Sequence, residues 1–183
     1  MSGYSIGKTR PPCRRKRVIV IAAEGMVTEP EYFKRLNSMS QTTVADMVPN
    51  WGNGSDPRSV LGRMKNYLRE NPLAADGEAW IVLDRDDWPE DKLQTIVAWT
   101  QKDGRYHFAL SLRRFEDWLK LHVAGDREAE RKFQRNISGK DKHIPDDFLT
   151  KDRIFAAVER AKRLHGTQSV GNVFELIEAF FRC

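Results

Sequence analysis

The chain is poor in cysteine, and neither of its cysteines belongs to a recognisable pattern. Among 183 residues there are two, Cys13 in a basic stretch and Cys183 at the last position. This placement provides neither a disulfide framework nor the residue spacing of a zinc site. We therefore expect the fold to be stabilised by an ordinary apolar core, which a domain of this length is large enough to bury.

Long apolar runs are absent too. No uninterrupted run approaches the ~18 residues that a membrane-spanning helix requires, and the basic N-terminus is not followed by a signal-peptide core and cleavage site. Apolar residues make up 40% of the chain and charged residues 31%, which is typical of a folded rather than a disordered protein. We expect a cytoplasmic protein that has no membrane partner.

Several common signals of catalysis are also missing. The sequence has no Ser-His-Asp order, no closely spaced pair of cysteines and no glycine-rich phosphate loop. Neither catalysis by a nucleophilic side chain nor ATP binding by a P-loop is therefore supported. The acidic residues are the remaining candidates for chemistry.

The basic excess of the chain has a local origin. The formal net charge is +5, and residues 1–17 hold six bases and no acid. Without those six, 25 bases stand against 26 acids, so the rest of the chain is close to neutral. We predict a flexible basic leader over residues 1–16 that binds phosphate groups. The alternative is a solvated tail that only improves solubility.

Two acidic motifs are the most informative feature that is present. Glu24 follows the apolar run 18–23, and Asp84 and Asp86 follow the apolar run 79–83. Such runs are typical of buried strands in a parallel sheet, whose active crevice lies beyond the carboxyl ends of the strands. Converging carboxylates repel one another unless a cation lies between them, and oxygen ligands suit a hard ion. We predict a Mg²⁺ site, with Mn²⁺ as the alternative ion, made by Glu24, Asp84 and Asp86.

The same acids have a structural interpretation. Loops between strands and helices are often acidic because Asp and Glu stabilise helix N-termini. Asp87 precedes Trp88-Pro89 and is suited to cap the next helix. Glu29 is either a further carboxylate of the site or a helix N-terminal acid, and Glu116 is either a further carboxylate or a helix-surface acid. At this point both interpretations stay open.

Hydrophobic periodicity predicts four strands that alternate with helices. The strands are expected at about 17–23, 42–48, 79–84 and 106–111, and the later helices at 151–165 and 172–181. Thr28 is expected to cap the first helix in a capping box with Glu31, and Asp56-Pro57 to begin the second. The alternation predicts a three-layer α/β domain over 17–183 with a mainly parallel four-stranded sheet, flanking helices, C-terminal helices and a charged insertion or lid at about 125–147.

Three further side chains have competing interpretations. His122 shares one helical face with Phe115, Trp118 and Leu119, so we interpret it as a packing histidine rather than a ligand. Trp51 and Trp88 fall in predicted loops, where they either stack on nucleic-acid bases or pack beside the sheet.

An ordered set of short motifs resembles RloB-like proteins, and the likeness spans about residues 17–181. Its members are Glu24-Gly25, TEPEYF at 28–33, DRDD at 84–87, FEDWLKLH at 115–122 and NVFELI at 172–177. RloB-like proteins in turn resemble the Toprim domain of topoisomerases, bacterial primases and OLD-family nucleases. The Toprim signature is a Glu after the first strand and Asp-x-Asp after the third, which Glu24 and Asp84-Arg85-Asp86 match position by position.

The resemblance implies a metal-dependent nuclease that acts in phage defence with an ATPase partner. In Toprim enzymes the Asp pair holds Mg²⁺, and the Glu is a metal ligand or a general acid/base. We expect the cations of this chain to contact the backbone of DNA or RNA, and the candidates are Arg14, Arg15, Lys16, Arg85, Arg113 and Arg114.

One departure from the family pattern supports competing hypotheses. Ser111-Leu112-Arg113-Arg114 stands where the family usually has a Ser-Asn-Pro stretch before Phe-Glu, which indicates altered substrate contacts or a degenerate site. The second hypothesis is therefore a non-catalytic module that binds nucleic acid or an ATPase. The third is a phosphoacceptor receiver domain with Glu24, Asp84 and Ser111 at three strand ends, although no fifth strand bearing a lysine follows.

Overall fold

The fold is built on one parallel sheet. A computed structural model describes residues 15–52, 54, 56–85, 88–111, 113–137, 143–165 and 171–182. Its strands run in the order β2-β1-β3-β4, and every pairing is parallel. Their bounds are β1 (Arg17–Ala23), β2 (Thr43–Met47), β3 (Glu78–Asp84) and β4 (Tyr106–Ser111). The predicted α/β class with a four-stranded parallel sheet is confirmed.

Helices cover both faces of the sheet, as expected for a three-layer, Toprim-like arrangement. Alternate residues of the central strands point to opposite faces, so Ile19 and Ile21 join one apolar cluster and Val20 and Ala22 join the other. Burial on both faces explains why β1 and β3 read as continuous apolar runs. The helices in the described residues are α1 (Thr28–Met39), α2 (Pro57–Glu70), α3 (Glu90–Thr100), α4 (Phe115–Val123), α5 (Arg127–Ile137), α6 (Lys151–Leu164) and α7 (Val173–Phe181). None of them has the length and apolar character needed to cross a lipid bilayer.

The helix starts were predicted with mixed success. The side chain of Asp56 accepts a hydrogen bond from the Arg58 N–H and Pro57 opens α2, as expected. The capping box at α1 is wrong, because Thr28 is already a buried helical residue and Val27 holds the cap position without a side-chain bond. The helix α3 begins at Glu90 after Pro89 at the cap position, and Asp87 lies outside the described residues.

The charged segment predicted at 125–147 contains a helix that the sequence analysis missed. In α5, Phe133 is buried and stacks on Phe148 with ring centroids 5.1 Å apart. Lys132 Nζ lies 2.7 Å from the Asp147 carboxylate and ties α5 to the turn before α6. The expectation of a segment without an apolar pattern is therefore wrong for this helix, whereas a lid role stays a prediction.

Asparagine side chains pair with both edge strands of the sheet. The Asn37 amide donates to the Ala45 carbonyl at 2.8 Å and accepts from the Ala45 N–H at 2.6 Å, on β2. On β4, Asn172 accepts from the Leu110 N–H at 2.7 Å and donates to the Phe108 carbonyl at 3.1 Å. These amides satisfy backbone groups that an edge strand otherwise leaves unpaired.

His122 is a packing residue, as predicted. It is buried against Tyr32 and Trp118, and burial lowers its pKa to about 3, so the ring is neutral. Its Nδ1 lies 3.2 Å from the Trp118 carbonyl and its Nε2 lies 3.2 Å from the Tyr32 hydroxyl. The carbonyl can only accept, so Nδ1 carries the hydrogen and Nε2 accepts from Tyr32.

Candidate metal centre

Glu24 and Asp84 meet at the carboxyl edge of the two central strands. Because Ala23 lies opposite Val82 in the parallel register, the chain leaves β1 beside the end of β3, and the Glu24 N–H donates to the Val82 carbonyl at 3.1 Å. The Glu24 side chain then turns across β3, where its Oε2 accepts from the Asp84 N–H at 3.3 Å. Two of the three predicted ligands are therefore neighbours.

Glu29 belongs to the same edge, although it lies in the first turn of α1. Glu29 is only 6% exposed, and its carboxylate accepts a hydrogen bond from the Gly25 N–H at 3.1 Å. A Cβ at Gly25 would overlap this carboxylate, so the absence of a side chain there lets Glu29 fold back toward the strand ends. The two interpretations left open for Glu29 are compatible, since one side chain is both a helix N-terminal acid and a member of the acidic cluster.

The environment of Asp84 is strongly unfavourable to its charge. Burial raises the pKa of this carboxyl to about 7, and the negative charges of Glu29, Glu24 and Glu116 add to the increase. Glu116, in the first turn of α4, is thereby also placed within electrostatic reach of the cluster. Three carboxylates therefore act on Asp84 through their charge, and we call these four residues, Glu24, Glu29, Asp84 and Glu116, the acidic cluster.

Ser111 lies beside Asp84 at the end of the neighbouring strand. It pairs with Asp84 in the register of β3 and β4, and its hydroxyl is buried without a hydrogen-bond partner among the described residues. The hydroxyl lies close enough to Asp84 to offset a small part of the pKa increase. Glu24, Asp84 and Ser111 thus adjoin as a receiver domain would require, but the part of the chain that the structure describes holds four strands and no fifth with a lysine.

The predicted ligand set is only partly described. Asp86 and Asp87 lie outside the described residues, as does Leu112. Among the residues that are described, no group of three or more His, Cys, Asp or Glu side chains is arranged to hold a metal ion. The oxygen-only chemistry of the acidic cluster and the raised pKa of Asp84 fit a hard cation such as Mg²⁺. The triad of Glu24, Asp84 and Asp86 stays a prediction.

The predicted nucleic-acid-binding cations fall into two separate groups. Arg85 follows β3, and Arg113 and Arg114 follow β4, which places all three near the acidic cluster. All three side chains are exposed. Arg113 lies 3.3 Å from Asp117 in an ion pair of the kind that contributes little to stability.

The basic leader enters at the opposite edge of the sheet. Arg15 and Lys16 precede β1, and Lys16 Nζ donates to the Ser40 carbonyl at 2.8 Å. The seven residues of β1 separate Lys16 from Glu24, a distance of about 25 Å. Arg14 lies outside the described residues. Arg15 and Lys16 therefore do not line the acidic cluster itself.

In this region the sequence analysis made no prediction for Arg63 and included a wrong interpretation of Trp51. Arg63 of α2 donates to the Ala23 carbonyl at 2.7 Å, and burial lowers its pKa. Its position between the buried Val60 and Met64 gave no signal in the sequence. Trp51 is 81% exposed, so the packing interpretation is wrong for this side chain.

Nearly the whole chain matches one family of proteins. The family model described as RloB-like protein covers residues 19–180. The chain belongs to the RloB-like family. No curated protein and no solved structure matches it. Membership of the RloB-like family confirms the resemblance carried by the short motifs, and all four acids of the acidic cluster lie within the matched range.

Proposed function

We propose that this RloB-like protein is a metal-dependent nuclease that hydrolyses phosphodiester bonds in DNA or RNA. The observation that carries the proposal is the acidic cluster, in which burial and the negative charges of three neighbouring carboxylates raise the pKa of Asp84 to about 7. A fold does not normally retain such repulsion at a strand end unless a ligand compensates it. The location, beyond the carboxyl ends of parallel strands, is also where open α/β sheets bind ligands.

In this proposal each group of residues has a distinct role. Asp84 and Asp86 hold Mg²⁺ or Mn²⁺, and Glu24 completes the ligand set or takes the proton of the attacking water. The bound ion would polarise the scissile phosphate and stabilise the leaving oxygen. The exposed Arg85, Arg113 and Arg114 contact phosphates on either side. A role in phage defence beside an ATPase partner, in the cytoplasm, is part of the same proposal and rests on the family resemblance.

The test compares Asp84→Asn with a matched aspartate outside the acidic cluster. Purified protein is incubated with DNA, total RNA and tRNA in Mg²⁺, Mn²⁺ or EDTA. We expect wild-type cleavage that EDTA abolishes, and a loss of at least about 100-fold in Asp84→Asn, because the ion loses a carboxylate ligand and the scissile phosphate loses the charge stabilisation that the ion supplies. The control is Asp91→Asn, an exposed residue paired with Arg58 at 2.9 Å, which keeps wild-type activity. Cleavage unchanged in folded Asp84→Asn protein would refute the proposal.

A second candidate is a non-catalytic module with an inherited acidic pocket. One observation favours it: Leu112-Arg113 stands where the family pattern has other residues. Thermal unfolding with added metal separates the candidates. A metal site predicts a melting temperature that rises by about 3–5 °C at tenfold the dissociation constant. If neither Mg²⁺ nor Mn²⁺ changes the melting temperature, the non-catalytic candidate is preferred.

A further inference from the structure

An apolar pocket of about 260 Å³ lies directly beside the acidic cluster. It is formed between the connection that follows β1 and the connection that follows β2. Its lining includes no charged side chain, and the residues that shape it are Gly25, Met26, Pro30, Met47, Pro49 and Trp51. An uncharged pocket next to four carboxylates is a separate binding surface rather than a part of the ion site.

The rim of this pocket exposes large apolar side chains. Trp51 is 81% exposed and Met26 is 59% exposed, which makes them the two most exposed large apolar residues that the structure describes. Single exposed apolar residues are ordinary, but two that line one pocket indicate a ligand that covers them. An exposed indole presents a flat π-face, which suits a planar aromatic ligand.

Hydrogen bonds fix the walls of the pocket to the acidic cluster. The Asn50 amide donates to the Glu24 carbonyl at 3.0 Å, and Arg63 donates to the Ala23 carbonyl at 2.7 Å. Val48 also donates from its N–H to the Ile21 carbonyl at 2.8 Å. A group held in the pocket is therefore kept next to Glu24.

We propose that the pocket binds one unpaired nucleobase, stacked on Trp51, from a single strand whose phosphate reaches the acidic cluster. The inference rests on the proposed function for its ligand class, and it narrows the substrate to unpaired DNA or RNA. The pocket is smaller than the roughly 300–1,000 Å³ that encloses a drug-sized ligand, so it accepts a flat ring rather than a base pair. A base can enter it only when it is not stacked and paired in a duplex.

Stacking on Trp51 is expected to contribute more to base binding than hydrogen bonds to the edges of the base. The one amide in the lining, Asn50, already donates to the Glu24 carbonyl and accepts from the Gly52 N–H at 3.1 Å. Stacking on an aromatic side chain tolerates all bases because each has a π-face. We therefore expect little sequence preference at this position.

Binding in EDTA tests the pocket without any cleavage. Fluorescein-labelled oligodeoxythymidine, oligouridine and a DNA duplex of the same length are titrated with wild type, Trp51→Ala, Trp51→Phe and Phe155→Ala, and anisotropy is recorded. Phe155 is the control because it is an exposed aromatic residue of α6, outside the pocket. We expect Trp51→Ala to weaken single-strand binding about 5- to 100-fold. Trp51→Phe keeps a ring and binds nearly as tightly as wild type, and so does Phe155→Ala. The comparison of oligodeoxythymidine with oligouridine shows whether the DNA or the RNA strand is bound more tightly.

Three results would overturn the inference: wild type that binds no single strand, wild type that prefers the duplex, or Trp51→Ala that binds like wild type while its melting temperature is unchanged. These results are distinguishable from failure of the nuclease proposal. If Trp51 is needed for binding but no cleavage occurs with Mg²⁺ or Mn²⁺, the pocket stands and the nuclease proposal fails. If cleavage requires Asp84 but Trp51→Ala binds single strands like wild type, the nuclease proposal stands and the pocket inference fails.

Discussion

Strand β3 carries a partly buried carboxylate at each end, and the two carboxylates have opposite electrostatic surroundings. At the amino end, Glu78 lies 3.4 Å from Arg17 and 3.8 Å from Arg182, and it accepts a hydrogen bond from the Trp80 indole at 2.9 Å. At the carboxyl end, burial and the charges of three further carboxylates raise the pKa of Asp84. The charge of Glu78 is therefore compensated by cations and a hydrogen-bond donor, whereas the charge of Asp84 is disfavoured by its surroundings.

The difference is the one expected between a structural carboxylate and a carboxylate of the proposed metal site. A buried charge that only supports the fold is stable when cations and donors surround it, which is the situation of Glu78. The raised pKa of Asp84 instead means that its ionisation is unfavourable in the folded protein, and the proposed function accounts for this with an ion that binds there. The predictions below test whether the two ends of β3 differ in this way.

The largest expected effect is on the compensated end. Glu78→Gln leaves the guanidinium of Arg17, whose side chain is 17% exposed, without its carboxylate partner. We expect the free energy of unfolding to fall by about 2–3 kcal/mol, since removing one member of a buried pair strands the other charge. Urea unfolding measures this. The exposed Glu70→Gln serves as the control, with a change below about 0.5 kcal/mol. An equal, small effect of both substitutions would erase the distinction drawn for Glu78.

A smaller effect of opposite sign is expected at the other end. The pKa of Asp84 is about 7 in the folded protein, against an ordinary value of 3.8. The folded protein therefore binds the proton of this carboxyl more tightly than the unfolded chain does. As a result, the free energy of unfolding of the wild type falls as the pH rises from 3.8 to about 7. Asp84→Asn removes the charge and is expected to be more stable than wild type by about 1–2 kcal/mol at pH 8 without metal, after allowing for solvent screening.

This advantage should be much smaller near pH 4, where Asp84 is protonated in the folded wild type and close to half protonated in the unfolded wild type. Urea unfolding of both proteins in EDTA at pH 8 and pH 4 checks the sign. Comparison of the two proteins at each pH cancels the loss caused by His122, whose lowered pKa destabilises both as the pH falls below 6.5. A variant that is less stable than wild type at pH 8 would contradict electrostatic repulsion at this site.

The smallest effect concerns Glu29, which acts on Asp84 through charge alone. Glu29→Gln retains an oxygen for the Gly25 N–H but removes one negative charge, so the pKa of Asp84 should fall toward its ordinary range. We expect a change in unfolding free energy of less than about 1 kcal/mol. NMR titration of the Asp84 carboxyl carbon measures the shift. Glu31→Gln, two residues along α1 and bonded to Arg35 at 2.6 Å, is the control that leaves the Asp84 titration unchanged.

Much of the fold follows from periodicity in the sequence. The apolar runs of β1 and β3 predicted buried central strands, and Asp56-Pro57 predicted the start of α2, because these signals are local. The helix α5 was missed because charged residues dominate it. The only available signal was the four-residue spacing of Ala129, Phe133 and Ile137, whose side chains pack toward the core.

The candidate site was predictable in part. Glu24 and Asp84 could be placed together because parallel strands end at one edge of the sheet. The burial of Glu29 was not predictable, since it depends on the close approach that Gly25 allows. The exposure of Trp51 depends on how two loops meet, and the separation of Lys16 from Glu24 follows from the direction of β1. Such tertiary relations leave no periodic signal in the chain.

The asparagines on the sheet edges limit how this protein can be joined to another. Recognition by β-augmentation needs a free row of backbone donors and acceptors on an edge strand. Asn37 already occupies the groups of Ala45 on β2, and Asn172 occupies those of Phe108 and Leu110 on β4. A strand from an ATPase or from a second copy of the chain would have to displace an amide first, so an assembly is expected to form through helices or loops.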